Sequence, residues 1–221
     1  MFNGNPDYAN FKDEEGNPYF NPVEDATKWE KAAEAAKQAI DDATNASHDL
    51  FYFDQSMSGF KLSETSLIQM SIRHAVCERW NKEIVWGLSD SRATTMQNYC
   101  MPRLTNEMTL TLCYAALAPT LKIAQQFYTK NGVPIEEDKT LDFSTINELR
   151  TATDDEVYNF DVRFETARLN FDRENRFYAC MGFDGGKWLM SDIASRNDAE
   201  AYVVKAKKEP ACGRQSPGTP L

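Results

Sequence analysis

Residues 173–188, RENRFYACMGFDGGKW, place four aromatic side chains, two arginines, one cysteine and a Gly-Gly pair in sixteen positions. Phe177, Ala179, Met181 and Phe183 alternate with Tyr178, Cys180 and Gly182, which is the period of a half-buried strand. Asp184-Gly185-Gly186 supplies a turn and KWLM, residues 187–190, can return as a second strand, so the segment predicts a β-hairpin. Its Phe and Tyr rings then belong to a core. Arg173 and Arg176 flank Glu174, a grouping that ties a helix end to a strand through a carboxylate and main-chain carbonyls. Trp188, beyond the turn, is free either to pack or to meet a ligand.

Upstream of this segment three helical patterns alternate with turns, a short apolar triplet and a long polar stretch. FNGNPDYANFKDEEGNPYFNP, residues 2–22, is punctuated by Asn-Gly, Asn-Pro and Gly-Asn-Pro and predicts an ordered loop made of turns. From Pro22 to about Asn45, Trp29, Ala32, Ala33, Ala36, Ile40 and Ala43 recur at helical spacing. Such a stripe of small residues suits close helix-to-helix packing of the kind found in helical-hairpin repeats. Ser63 can cap a second helix with Glu64 in its first turn and Ile68, Ile72, Val76 and Trp80 as the buried stripe. In NKEIVWGL, residues 81–88, Ile84, Val85 and Trp86 read as a short buried strand. SDSRATTMQNYCMPRLTNEMT, residues 89–109, is polar and aperiodic, which predicts a long loop of the sort that often carries function. A third helix is expected from Pro119 through Leu121, Ala124, Phe127 and Tyr128, ended by Asn131-Gly132 with Pro134 behind.

Composition excludes several classes of function. The 221 residues are 42% hydrophobic and 12% aromatic, which supports a folded chain, and carry a net charge of -10. An acidic surface with no cluster of basic and aromatic residues argues against nucleic acid as partner. The longest apolar runs, such as LCYAALA at 112–118, fall well short of the about eighteen residues that a membrane span needs. The N-terminus shows no basic stretch followed by an apolar run, and EPACGRQSPGTPL at the other end is a Pro/Gly/Ser-rich tail, so both ends read as cuts within a longer protein. Five scattered cysteines, Cys77, Cys100, Cys113, Cys180 and Cys212, form no CxxC pair and argue against a disulfide scaffold. His48 and His74 have no ligand-spaced partners, so no metal or other cofactor is expected, and His74 reads as an ordinary helix residue. Asn45-Ala46-Ser47 matches a glycosylation sequon, a motif short enough to arise by chance.

No catalytic signature emerges. GxSxG, HExxH and a Cys with a His partner are all missing, and the Gly-Gly-Lys of residues 185–187 lacks the remainder of a phosphate loop. Thirty-four acidic residues can still place two carboxylates together without any sequence pattern, which leaves a glycoside hydrolase open.

Five separated stretches, taken in order, resemble the central part of SusD/RagB-like proteins of Bacteroidetes. They are FNGNPDYANFKDEEGNPYFNP with WEKAAEAAKQAI, RWNKEIVWG, APTLKIAQQFYTKNGVPIEEDK and RENRFYACMGFDGGKW, together spanning nearly the whole chain. Where the family usually has proline before RFYA, this chain has Asn175. The resemblance implies a mainly α fold: tetratricopeptide-like helical pairs packed with an irregular, loop-rich region containing short strands and a hairpin. On that basis residues 1–50 are expected to end the helical-repeat scaffold and residues 51–221 to form part of the loop-rich domain.

The same resemblance implies a non-catalytic, lipid-anchored protein of the outer-membrane surface. Such a protein captures oligosaccharides or other nutrients for a SusC-like TonB-dependent transporter within a polysaccharide-utilization system, and its lipid anchor and further domains lie outside this chain. Sugar binding without catalysis needs aromatic faces for pyranose rings and Asn, Gln or Arg for hydroxyls. The long loop after EIVWG offers Arg92, Gln97, Asn98 and Tyr99, with Tyr99 as the stacking platform, and Trp188 is a second platform. A helical-repeat scaffold that binds another protein remains the third reading.

Overall fold

The computed structural model describes residues 4–104, 113–190 and 196–206. It divides into two units, one of Met1–Leu50 with Lys82–Trp86, the other of Phe51–Asn81 with Gly87–Leu221. The end of the polar stretch at 105–109, Ser191 to Ser195, and the Pro/Gly/Ser-rich tail with Cys212 lie outside the described residues.

In the smaller unit the punctuated opening is a set of turns. Asn5 accepts the Asp7 N–H at 2.9 Å to cap a short 3-10 turn at Pro6–Tyr8. Asp13 accepts the N–H groups of Glu15 and Asn17 at 3.0 and 2.7 Å, folding the acidic stretch back on itself. The Tyr8 ring lies against Phe11 and Phe20, with centroids 5.8 and 5.3 Å away. Helix α1, Thr27–Asn45, follows, entered through Asp25, whose carboxylate accepts from the Thr27 hydroxyl and N–H. It begins at Thr27 because the turns extend past Pro22. No residue of α1 is buried; in the small-residue stripe Ala32 and Ala43 are half-buried and Ala33 and Ala36 are exposed.

Ile84, Val85 and Trp86 do not form a strand, and Trp86 is 96% exposed. Three apolar residues have strand propensity but hold no strand geometry without a neighbouring edge to pair with. Lys82 instead gives its carbonyl to the Asp49 N–H at 3.2 Å and the His48 Nδ1 at 3.0 Å.

In the larger unit α2, Glu64–Cys77, starts at Ser63, whose hydroxyl accepts the Ser66 N–H at 3.2 Å. Its buried face is Ser66, Gln69 and Met70 rather than the apolar stripe expected, and Val76 is 83% exposed. Polar residues can face inward here because each meets a partner: Gln69 donates to Asn159 Oδ1 at 2.7 Å, and Arg73 donates to three carbonyls. The stripe also ends early, with the helix stopping at Cys77 and Trp80 lying at φ 58°.

Residues 93–100 are helical too: Ala93–Cys100 is α3, two turns inside the stretch that periodicity reads as loop. Helix α4 is Leu121–Gln126, capped by Thr120, with Pro119 just outside. It stops before Phe127 and Tyr128, and Gly132, at φ 75°, turns the chain with its N–H on the Thr129 carbonyl at 2.9 Å.

The predicted hairpin is replaced by a helix. Residues Asn175–Cys180 form α5, in which the consecutive residues Phe177, Tyr178 and Ala179 are all buried. A strand with one wet face buries alternate residues only, whereas a short helix enclosed on several sides buries neighbours. Gly185 lies at φ 81°, and a Cβ there would overlap the Phe164 ring, so this turn requires glycine. Lys187–Trp188 is indeed a strand, but it pairs antiparallel with Tyr202–Val203. In chain order the strands are β1 (Leu149–Thr151), β2 (Glu165–Ala167), β3 (Lys187–Trp188) and β4 (Tyr202–Val203), with β1 pairing β2 in the register Arg150↔Thr166.

The core gathers Phe160, Phe171, Phe177, Tyr178, Leu169 and Ile135. Phe160 and Phe171 stack with centroids 4.3 Å apart and planes 6° from parallel, and the Arg150 guanidinium lies 4.1 Å above Phe171 as a third layer. Arg173, only 3% exposed, closes the arrangement. It donates to the carbonyls of Leu169 and Ala124 at 2.8 Å each, Phe127 at 2.6 Å and Tyr128 at 3.4 Å, while Tyr178 Oη accepts its backbone N–H at 3.2 Å. Arg176 pairs with Glu174 at 2.7 Å.

Two predictions follow from these contacts. Replacing Arg173 by Met leaves several carbonyls without donors and should destabilise the protein by about 3 kcal/mol or more, read from the denaturant midpoint of unfolding. Asp138 accepts from the hydroxyls of Thr129 and Thr140 at 2.7 Å each and from Asn131 Nδ2 at 2.9 Å, which holds its carboxyl well below the ordinary 3.8. A carboxyl whose pKa is depressed on folding contributes stability that is present above the ordinary value and is lost as pH falls toward the folded one. Asp138→Asn should therefore lower stability at neutral pH and flatten the acid limb below about pH 4, measured by thermal melts across pH.

Candidate functional site

A cleft of about 700 Å³ opens in the larger unit between the segment 53–62, α2, the C-terminal end of α3, the end of α5, and β3 with the two residues after it. Its wall is mainly apolar and rich in sulfur: Met57, Met70, Met101 and Met190, with Cys77, Cys100 and Cys180. Ser58, Arg73, His74 and Gln97 are the polar members, and among the described residues no Asp or Glu lines the cleft.

Arg73 organises this wall. It is one turn ahead of Cys77 on α2 and reaches across to the C-terminal end of α5, donating from Nε to the Ala179 carbonyl at 2.7 Å and from Nη2 to Tyr178 at 3.4 Å. Nη1 donates to the Leu189 carbonyl at 2.9 Å, and the guanidinium lies 4.1 Å from the centre of the Trp188 ring. Carbonyls at a helix C-terminus carry the negative end of the helix dipole and suit a cation. Burial nevertheless pushes the Arg73 pKa down to about 10. His74, on the next position of α2, has Nδ1 3.3 Å from Glu78 Oε2 and its ring 4.8 Å from Phe53. Among the described residues no group of three His, Cys, Asp or Glu side chains is placed to hold a metal ion.

A second cavity of about 390 Å³ shares Cys100, Cys180 and Trp188 with the cleft, so these residues form a wall between the two spaces. Gly182 shapes it, since a Cβ there would come 2.6 Å from Pro102 Cβ; the absence of a side chain lets the chain leaving α3 approach the chain leaving α5.

The candidate binding residues are divided by these surfaces. Gln97 and Trp188 both line the cleft, Gln97 through the same turn of α3 that contributes Cys100 and Met101. Trp188 has one ring face covered by Arg73. Arg92 and Tyr99, seven residues apart, share a different side of α3, and neither lines the cleft. Tyr99 is 44% exposed, with its ring 5.5 Å from Tyr114 at a 54° tilt. Asn98 is half-buried, and its carbonyl accepts the Tyr114 N–H at 2.9 Å. Residues that sequence reasoning passed over are Arg73, His74 and the sulfur-bearing side chains. Ser66, Gln69 and Arg73 stand at helical spacing on α2, and that polar line was the available signal for an inward polar face.

The cleft makes thiol reactivity site-specific. Cys77, Cys100 and Cys180 are exposed and free, while Cys113 is buried. Burial raises the thiols of Cys180 and Cys113, with Arg73 and Arg176 partly opposing this at Cys180. Alkylation followed by peptide mass spectrometry should label Cys77 and Cys100 fastest, Cys180 more slowly, and Cys113 only on unfolding.

No curated protein matches this sequence. A solved structure described as selenomethionine BT4246 superposes with a TM-score of 0.64 at 29% identity, over 84% of this chain and 35% of that one. The chain thus spans about a third of the length of that protein. The family model described as the SusD family matches residues 82–219, more than half of the chain. The mainly helical fold with few short strands agrees with both likenesses, and the chain belongs to the SusD family.

Proposed function

We propose that this chain is part of a non-catalytic glycan- or nutrient-binding subunit of a SusC/SusD-type outer-membrane uptake system. It captures oligosaccharides for a TonB-dependent transporter and is held at the cell surface by a lipid anchor. No helix among the described residues is long and apolar enough to cross a membrane. Within it, residues 1–50 end a helical-repeat scaffold and residues 51–221 belong to the loop-rich domain. The exposed Ala33 and Ala36 of α1 support the first assignment, since small residues on a helix face suit a neighbouring helix.

The observation that carries the reading is a cleft in a SusD-family chain that presents an indole ring beside Gln97, His74 and Ser58 and, among the described residues, no carboxylate. Hydrolysis of a glycosidic bond in this cleft would need a pair of carboxylates, one to protonate the leaving oxygen and one to act on the anomeric carbon or on water. Stacking and hydrogen bonding need neither. Gln97 and Trp188 are the contacts assigned to the cleft. Tyr99, with Arg92 and Asn98, supplies a second contact surface on the outer side of α3, where the Tyr99–Tyr114 pair offers an aromatic platform.

Titration with a panel of oligosaccharides, followed by assay for new reducing ends, tests this. Binding without cleavage is expected, and Trp188→Ala or Tyr99→Ala should weaken it by about tenfold, the loss of one stacking platform. Release of new reducing ends would overturn the proposal.

A further inference from the structure

Among the described residues, Arg73 is the only permanently charged side chain lining the cleft, and none of their ion pairs includes it. An arginine has five N–H groups. Nε and one N–H on each terminal nitrogen are committed to the carbonyls of Ala179, Leu189 and Tyr178. One N–H on each terminal nitrogen remains, the number that the two oxygens of a carboxylate take. The side chain is half-buried, so it is reachable from the cleft it lines. Among the described residues its charge is met by carbonyl dipoles and the Trp188 ring and by no carboxylate, and burial already disfavours it. This local cation stands in a chain whose net charge is -10, so it departs from the general acidity of the protein.

Resting on the glycan-binding function proposed above, we propose that the cleft selects acidic oligosaccharides, placing the carboxylate of a uronic acid residue on Arg73 and a ring hydroxyl on Gln97. A neutral sugar leaves the cation without a counter-charge. A carboxylate supplies one in a setting of low polarity, where the ion pair is strengthened by the surrounding apolar side chains. The methionines and Phe53 accommodate the apolar faces of the ring and exclude water around the pair.

The test compares an oligogalacturonide with its fully methyl-esterified form by calorimetric titration of the full chain, because esterification removes the charge and keeps the backbone. The free acid should bind about tenfold or more tightly than the ester at low salt, with the gap narrowing as salt rises. Gln97→Glu, a substitution on the exposed surface of α3, should abolish the preference by placing a negative charge beside the site. Arg73→Met, checked for folding by circular dichroism, should do the same. Bound acid should also slow alkylation of Cys77, Cys100 and Cys180, which places it in the cleft. Equal affinity for acid and ester, or a preference that survives both substitutions, would overturn this inference while leaving glycan binding intact. Failure of acidic and neutral oligosaccharides alike would overturn the proposed function and this inference with it.

Discussion

Short helices end in carbonyl groups that their own turns cannot satisfy, and in the larger unit the ends of α4 and α5 are both taken up by arginines, one buried and one half-buried. Arg173 collects Ala124, Phe127 and Tyr128 at the end of α4 and joins them to Leu169. Arg73 collects Tyr178 and Ala179 at the end of α5 and joins them to Leu189. Neither guanidinium has a carboxylate partner among the described ion pairs, so each is neutralised by dipoles aimed at it from several segments. A planar group with five donors can serve three or four carbonyls at once; an ammonium has three donors and no fixed plane. Removing such a hub leaves several acceptors dry together, which is why these positions weigh more than a surface ion pair such as Lys37–Asp41.

The two hubs have different consequences because their surroundings differ. Arg173 lies over the Phe177 ring at 4.6 Å, inside the aromatic cluster of Phe160, Phe171 and Tyr178, and is sealed there. Arg73 lies at the margin of that packing, with Trp188 beside it and a cleft in front. The same bonding to carbonyls is therefore enclosed by aromatic rings in one place and borders an open cleft in the other. The difference is set by what covers the remaining N–H groups.

Several elements were legible in the residues themselves. Ser63 and Glu64 mark the start of α2, and Asn-Pro and Gly-Asn-Pro mark the turns of the opening, because capping and turn chemistry act over two or three residues. The tie made by Arg173 and the pairing of Arg176 with Glu174 were likewise readable from the cluster around Glu174. The failures have one cause. Alternation in 177–183 and the apolar triplet at 84–86 suggested strands, and Ile68, Ile72 and Val76 suggested a buried stripe. Each inference assumed that apolar spacing alone names the buried face. In α2 that face is polar, because Asn159 and the carbonyls after α5 accept its side chains, and those partners are 90 or more residues away in sequence.

By itself, the sequence determined the class of the chain: mainly helical, acidic, punctuated by turns, and similar to the SusD family along five ordered stretches. Acidity and turn punctuation depend on composition and local spacing, which need no distant partner, whereas the mainly helical class was implied by the family resemblance. Only the tertiary structure decided that RENRFYAC is a helix rather than a strand, that β3 pairs with β4, and that Gln97 and Trp188 share a cleft from which Arg92 and Tyr99 are turned away. Each of these depends on which distant carbonyl, ring or strand edge is brought close, and that choice is made by packing around two guanidinium groups.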